Sequence, residues 1–206
     1  MSVSVERLVT GPIETNTYVV YNESKDCLVI DPSTGVDPVL QFIVQEQFTP
    51  QAILITHGHF DHIGGIPELV SRFPSLPVYI HPGERSMLRR PEENLSQMMG
   101  IDFRYEGNAS DIDEGPFTVG SFSGMAMLIP GHSPAGCAFL IGNILLCGDI
   151  LFAGSIGRSD FPGGSQTTLV EGIKEKLLTL DDAVVVCPGH GGRTTIGRER
   201  RMNPFL

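Results

Sequence analysis

Three histidines and one aspartate lie within six residues, directly after an apolar run. They are His57, His59, Asp61 and His62, and the run covers residues 52–56. A short, isoleucine-rich run without polar interruption is typical of a buried strand, so these side chains are predicted to lie just beyond its carboxyl end. Side chains alternate along an extended chain. His57 and His59 therefore point in the same direction, and Gly58 between them allows the backbone to bend.

This cluster indicates metal binding more strongly than a single histidine would. A lone histidine beside a strand is usually a hydrogen-bonded structural residue. Imidazole rings this close together repel one another when they are protonated. When the rings are neutral and buried, they need partners for their nitrogen atoms. A divalent cation satisfies both conditions, because imidazole nitrogen and carboxylate oxygen are natural ligands of zinc. Asp61 and His62 lie beyond the predicted bend, so they can face a second ion.

More candidate ligands follow apolar runs in the second half of the chain. His132 follows the run at 125–129, Asp149 the run at 143–147, and His190 the run at 183–187. Ligand sites in open α/β sheets gather beyond the carboxyl ends of strands, so these side chains are predicted to converge with the first cluster. His81 also follows a short run. No other candidate ligand lies in its segment, so we expect it to take no part in the site.

The composition favours a small-molecule substrate. A chain of 206 residues is long enough for one large domain with a substantial core. Its 14 basic and 24 acidic residues give a formal net charge of −10, which argues against nucleic acid or an anionic membrane as a partner. The scattered cysteines are typical of reduced thiols in a cytoplasmic protein. Neither a targeting segment nor an apolar run of membrane-spanning length is evident, and the composition carries no signal of oligomeric state.

The order of the apolar runs indicates an α/β sandwich. Short strands come first, and helices then alternate with strands. Residues 165–180 carry leucine and isoleucine at helical spacing, which predicts an amphipathic helix that covers a sheet and contributes no chemistry. Residues 83–115 lack a clear period, and we expect a loop or short helices there, near the mouth of the site.

These motifs and their order resemble those of the metallo-β-lactamase superfamily, and within it the glyoxalase II-like hydrolases. The matching segments are HGHFDH at 57–62, PGHSP at 130–134, GDILF at 148–152 and PGH at 188–190. The segment GRSDFPGG at 157–164 and the tail at 194–204 are similar to short single-domain members. The resemblance implies an αββα sandwich, with two mixed sheets flanked by helices, as a single domain over residues 1–206. It also implies that the helical C-terminal domain with which glyoxalase II binds glutathione is absent.

The resemblance also implies two metal sites that share one carboxylate. One ion would be held by His57, His59 and His132, the other by Asp61, His62 and His190, and Asp149 would bridge them. Zinc is the expected metal, and iron or manganese also suits ligands that offer nitrogen and oxygen without thiolate. Two such ions lower the pKa of a shared water toward 7.

The implied activity is hydrolysis of a thioester, S-lactoylglutathione or a related S-acyl thiol, by a metal-bound hydroxide. Asp61 would orient the nucleophile and take its proton, and Arg158 would contact the substrate. A second interpretation is a persulfide dioxygenase with one iron on His57, His132 and Asp149. A lactonase is third, and a non-catalytic binding protein on the same fold is fourth.

Overall fold

The computed structural model describes residues 3–206 and contains two six-stranded sheets that pack face to face. The first sheet consists of β1 (Val3–Thr10), β2 (Thr15–Asn22), β3 (Asp26–Ile30), β4 (Thr49–Ile55), β5 (Val78–Ile80) and β6 (Ser110–Asp111), in that spatial order. The pairs β1–β2 and β2–β3 are antiparallel, whereas β3 to β6 are parallel. The carboxyl ends of β3, β4 and β5 therefore lie at one edge of the sheet.

The second sheet has the strand order β14-β13-β10-β9-β8-β7. Its strands are β7 (Gly115–Val119), β8 (Phe122–Leu128), β9 (Cys137–Ile141), β10 (Ile144–Gly148), β13 (Val185–Pro188) and β14 (Thr194–Thr195). A separate hairpin joins β11 (Leu151–Phe152) to β12 (Ser155–Ile156). In the second sheet, β10 and β13 are parallel, so the loops that follow them leave the sheet side by side.

Alternation along the strands divides the core into layers. In β2, Tyr18 and Val20 face the second sheet, whereas Val19 between them packs beneath the helices α1 (Asp37–Gln45) and α3 (Ile66–Arg72). On the far side, the helix α4 (Gln166–Gly172) continues as one π-helical stretch (Ile173–Leu177) and covers the second sheet. The order is helix, sheet, sheet, helix, which confirms the predicted αββα sandwich of two mixed sheets.

The shorter elements also agree with the sequence analysis. The predicted helix at 165–180 begins where the Ser165 side chain accepts a hydrogen bond from the backbone N–H of Thr168 at 3.3 Å. Within 83–115 the structure has two short 3-10 helices, Pro82–Leu88 and Ser96–Met99. The four cysteines are buried and form no disulfide. The remaining helices are α2 (Phe60–Ile63) and α5 (Ile196–Met202), and over residues 3–206 no helix has the length and apolar character needed to span a membrane.

Candidate metal centre

The seven predicted ligands meet in one cleft beyond the strand ends. They comprise His57, His59, Asp61, His62, His132, Asp149 and His190. Ligand atoms of His57, His59 and His132 all lie within 4.8 Å of one another, and the same holds for Asp61, His62 and His190. The structure therefore brings these side chains together in the two groups that the resemblance implies.

Asp149 lies between these two groups. Its Oδ1 is 3.4 Å from Nε2 of His62, and its Oδ2 is 3.7 Å from Nε2 of His132 and 3.6 Å from Nε2 of His190. One carboxylate thus faces nitrogen atoms of both groups. This position suits a ligand that is shared by two cations.

The ring of His62 is fixed by a carboxylate that the sequence analysis did not assign. Nδ1 of His62 lies 3.0 Å from Oδ2 of Asp31, the residue that follows β3. The contact favours the tautomer in which Nδ1 carries the proton, so the lone pair of Nε2 points toward Asp61 and Asp149. Asp31 therefore orients a ligand and leaves its other nitrogen free.

The same aspartate fixes His57 through a threonine. Oγ1 of Thr56 donates to Oδ2 of Asp31 at 2.6 Å, and it accepts from Nδ1 of His57 at 3.1 Å. The backbone N–H of Thr56 donates to Oδ1 of Asp31 at 2.8 Å. Nε2 of His57 is then the nitrogen with a free lone pair, and it is buried without a hydrogen-bond partner.

His132 is oriented by backbone instead of a side chain. Its Nδ1 donates to the carbonyl oxygen of Arg158 at 2.7 Å, which leaves the lone pair of Nε2 facing Nδ1 of His59 at 3.0 Å. Ring nitrogens this close need a proton or a cation between them. In each histidine fixed in this way, the nitrogen that faces the cleft is the one able to bind a metal.

The burial and charge of the centre fit divalent cations. Nε2 of His57 is buried without a hydrogen-bond partner, which is costly unless an ion binds it. Burial and the neighbouring rings hold the pKa of His57 well below its ordinary value, and burial above all lowers the pKa of His59 to about 3. Both rings are therefore neutral at neutral pH, as metal ligands must be.

His62 is the exception among the buried rings, and the reason is its acidic surroundings. Burial lowers the pKa of His62, but the carboxylates of Asp61, Asp149 and Asp31 outweigh burial and hold that pKa well above its ordinary value. Without a metal, a proton on His62 thus supplies the positive charge that these carboxylates require. A bound cation would supply that positive charge instead.

We expect cation binding at this half of the centre to release a proton. The ion must displace the proton from Nε2 of His62, so the apparent affinity should fall by up to about tenfold per pH unit below the raised pKa of His62. Calorimetric titration of zinc into metal-free protein, in buffers of different ionisation enthalpy, measures the protons released. An affinity that is independent of pH between about 6 and 8 would contradict this role of His62.

Two more polar side chains support the centre without facing it as ligands. Oγ1 of Thr15 donates to Oδ2 of Asp61 at 3.0 Å. Glu84 is fully buried, and its carboxylate accepts the backbone N–H of Gly58 at 2.8 Å and that of Ala135 at 2.6 Å. Glu84 therefore ties the loop that carries His57 and His59 to the loop that carries His132. Neither of these residues, nor Asp31, was predicted from the sequence to belong to the site.

Two further side chains bond to backbone and are not ligands themselves. His81 uses Nδ1 to accept the backbone N–H of Gly83 at 3.1 Å, so it caps the first short 3-10 helix. Cys147, two residues before Asp149, directs its thiol to the carbonyl oxygen of Leu151 at 3.3 Å. Burial raises the pKa of Cys147, so this thiol stays protonated. Both serve structural roles.

The centre opens into a cleft with a volume of about 590 Å³. Arg158 lines it, as expected for the proposed substrate contact, but Oδ1 and Oδ2 of Asp160 accept from its guanidinium at 2.8 and 2.7 Å. The guanidinium also stacks over the ring of Phe161, 4.1 Å from the centroid. The guanidinium is thus already paired within its own loop.

Comparison with known proteins identifies the family. The metallo-beta-lactamase superfamily matches residues 10–190. The chain is 38% identical to the probable metallo-hydrolase YqgX of Bacillus subtilis, over 97% of this chain and 96% of that protein. It is 30% identical to the hydroxyacylglutathione hydrolase GloC of Haemophilus influenzae, over 98% of both chains.

Two solved structures support the same family. The BLEG-1 B3 metallo-beta-lactamase superposes with a TM-score of 0.94 at 39% identity, covering 98% of this chain and 99% of that one. TTHA1623 in a di-iron-bound form superposes with a TM-score of 0.88 at 34% identity, covering 98% of this chain and all (100%) of that one. The chain therefore belongs to the metallo-β-lactamase superfamily, whose members include metal-dependent hydrolases.

Proposed function

We propose that the chain hydrolyses thioesters with two divalent ions bound side by side. His57, His59 and His132 would hold one ion, Asp61, His62 and His190 the other, and Asp149 both. The observation that carries the proposal is the position of Asp149 between two ligand groups, at the base of an open cleft. The relative named as a hydroxyacylglutathione hydrolase supports a thioester substrate, and the di-iron structure supports two ions.

Several residues around the centre have a defined task in this proposal. When bound, the ions would activate a water at neutral pH and polarise the carbonyl oxygen of the thioester. Asp61 would orient the attacking water and accept its proton, since the hydrogen bond from Thr15 fixes its carboxylate. Asp31 and Thr56 would keep the rings of His62 and His57 in the required tautomers. Arg158 would contact the substrate beside the cleft.

We propose zinc as the metal, with iron or manganese as alternatives. The candidate ligands offer nitrogen and oxygen and no thiolate, a set that all three metals accept. Elemental analysis of protein purified without added metal would identify the ion. A single iron per chain, together with oxygen uptake that depends on glutathione persulfide, would replace the hydrolase with a persulfide dioxygenase.

The metal-loaded protein is expected to hydrolyse S-lactoylglutathione with weak apparent affinity. The centre would activate the carbonyl of this thioester as it would that of any other. The glutathione carboxylates, however, would meet only Arg158, whose guanidinium already donates to Asp160. The KM should therefore lie at or above about 1 mM, the upper end of the usual range. Initial rates over a concentration series test this expectation, with chelated protein as the control.

A comparison of substrates separates the candidate reactions. The thioester should be measured beside a lactoyl thioester of a different thiol, a lactone and a β-lactam, all with the same metal-loaded protein. Similar kcat/KM for the two thioesters would mean that the thiol carrier is not recognised. A higher kcat/KM for the lactone or the β-lactam would overturn the thioesterase assignment.

A further inference from the structure

The rim of the cleft presents apolar side chains to solvent. Ile13, Met98 and Met99 line it, and they are 47%, 74% and 41% exposed. Three further apolar side chains, Phe152, Ile156 and Phe161, also line the cleft. A cleft of about 590 Å³ with apolar walls and a polar base has the size and composition typical of a small-molecule site. The apolar surface is continuous with the candidate metal centre, so a substrate bound there also covers it.

The rim segment is held in a strained conformation. Leu95, which also lines the cleft, has φ 66° and ψ 6°, the left-handed region that is unfavourable for leucine. Buried Asn94 imposes this conformation, because its side chain donates to the carbonyl oxygen of Met87 at 2.8 Å and accepts the backbone N–H of Ser96 at 3.0 Å. Strain that the surrounding structure enforces is often found at ligand sites. Here it directs an apolar segment toward the cleft.

The hairpin that carries Phe152 and Ile156 is anchored from the C-terminal end of the chain. Buried Glu199 accepts the backbone N–H of Gly154 at 2.8 Å, and Asn203 donates to the carbonyl oxygen of Ser155 at 2.9 Å. Both contacts fix the hairpin β11–β12, which carries Phe152 and Ile156. The hairpin is thus held in place, whereas Met98 and Met99 have flexible, polarisable side chains that adapt to ligands of different shape.

The cleft offers little for an anionic group. Among residues 3–206, Arg158 is the only lysine or arginine that lines it, and Nε and Nη2 of its guanidinium already donate to the carboxylate of Asp160. Common thiol carriers are polar or charged, so the part of a thioester that matches apolar walls is the acyl group. Burial of each methylene then adds binding free energy in proportion to its area.

We propose, on the basis of the thioesterase function above, that the cleft binds apolar acyl groups, so that medium-chain acyl thioesters are better substrates than lactoyl or acetyl thioesters. The acyl chain lies against the apolar side chains that line the cleft, among them Met98, Met99 and Phe161, with its carbonyl carbon at the metal centre. The thiol carrier leaves toward solvent and makes few contacts.

The test uses thioesters of N-acetylcysteamine, an uncharged thiol, with acetyl, lactoyl, butanoyl and hexanoyl groups. For the metal-loaded protein, kcat/KM should rise about threefold for each added methylene from acetyl to hexanoyl, and lactoyl should fall below butanoyl. In the double variant Met98→Ser and Met99→Ser, the hexanoyl-to-acetyl ratio of kcat/KM should fall about tenfold. The matched control is Met202→Ser, because Met202 is 72% exposed and does not line the cleft.

The outcomes separate this inference from the function on which it rests. Hydrolysis of all four thioesters with equal kcat/KM, or a ratio unchanged in the double variant, would overturn the acyl preference and leave the thioesterase intact. A ratio that falls equally in Met202→Ser would also overturn it. No hydrolysis of any thioester by protein with verified metal would overturn both. The substituted methionines are exposed, so thermal unfolding should be unchanged in all variants.

Discussion

Replacement of Asp149 by alanine is expected to remove bound metal and activity together. The side chain lies between both ligand groups, 3.4 Å from His62 and 3.7 Å from His132, and is one of only two carboxylates among the seven candidate ligands. Loss of a shared ligand should exceed the effect of losing an outer partner, which is about 10- to 100-fold in affinity or activity. Elemental analysis and kcat/KM for a thioester, on the same preparation, measure both quantities.

His81→Ala is the matched control for Asp149→Ala. His81 follows a strand just as Asp149 does, but its ring caps a short helix through the backbone N–H of Gly83. Its removal should cost on the order of 1 kcal/mol of stability and leave metal content unchanged. The wild type should contain about two ions per chain if both groups bind. Equal losses of metal in the two variants would contradict the assignment of Asp149 as a ligand.

The convergence of the ligands was predictable because strand direction limits where side chains lie. His57 follows β4, and Asp149 and His190 follow the parallel pair β10 and β13, so each leaves its sheet at a carboxyl end. The sequence pattern of an apolar run followed by a polar residue was enough to predict that. The two groups of ligands required the resemblance as well, since spacing alone does not set distances between loops.

Asp31 was missed although it carried the same signal. It follows the apolar strand β3 directly, but the adjacent Pro32 made it look like a residue that ends a strand. Glu84 carried almost no signal, because its partners Gly58 and Ala135 lie 26 and 51 residues away. Such a buried carboxylate accepts backbone N–H groups that only the fold brings near it, so no local sequence pattern identifies it.

The charge and apolar lining of the cleft could not be predicted from the sequence either. Arg158 was expected to contact the substrate, and the pairing with Asp160 two residues later changes what that contact can bind. The methionines of the apolar rim belong to residues 94–99, part of a segment without periodicity, and the direction of this segment depends on the backbone conformation of Leu95. Substrate recognition therefore depends on contacts among loops that are distant in the sequence, whereas the metal ligands are positioned by the ends of strands.

Gly189→Ala is expected to disrupt the centre without changing any ligand. A Cβ at this position would lie 2.2 Å from Oδ1 of Asp149 and 2.6 Å from Cε1 of His62, distances that side chains do not tolerate. The backbone cannot move away easily, because the N–H of Gly189 donates to Gly148 at 2.8 Å and its carbonyl oxygen accepts from Asn16 at 2.7 Å. Asp149 and His62 must therefore shift.

The shift should lower metal content and reduce kcat/KM by at least about 100-fold, with a loss of about 1–3 kcal/mol in the free energy of unfolding. Gly192→Ala is the matched control, since no heavy atom lies within 4 Å of the Cβ that it would add. It should retain metal, activity and stability. Metal analysis, thioester kinetics and denaturant unfolding of both variants provide the comparison. A Gly189→Ala protein with the full wild-type metal content would show that Asp149 is not held against His62 as the structure places it, because the added methyl group occupies the space of that contact.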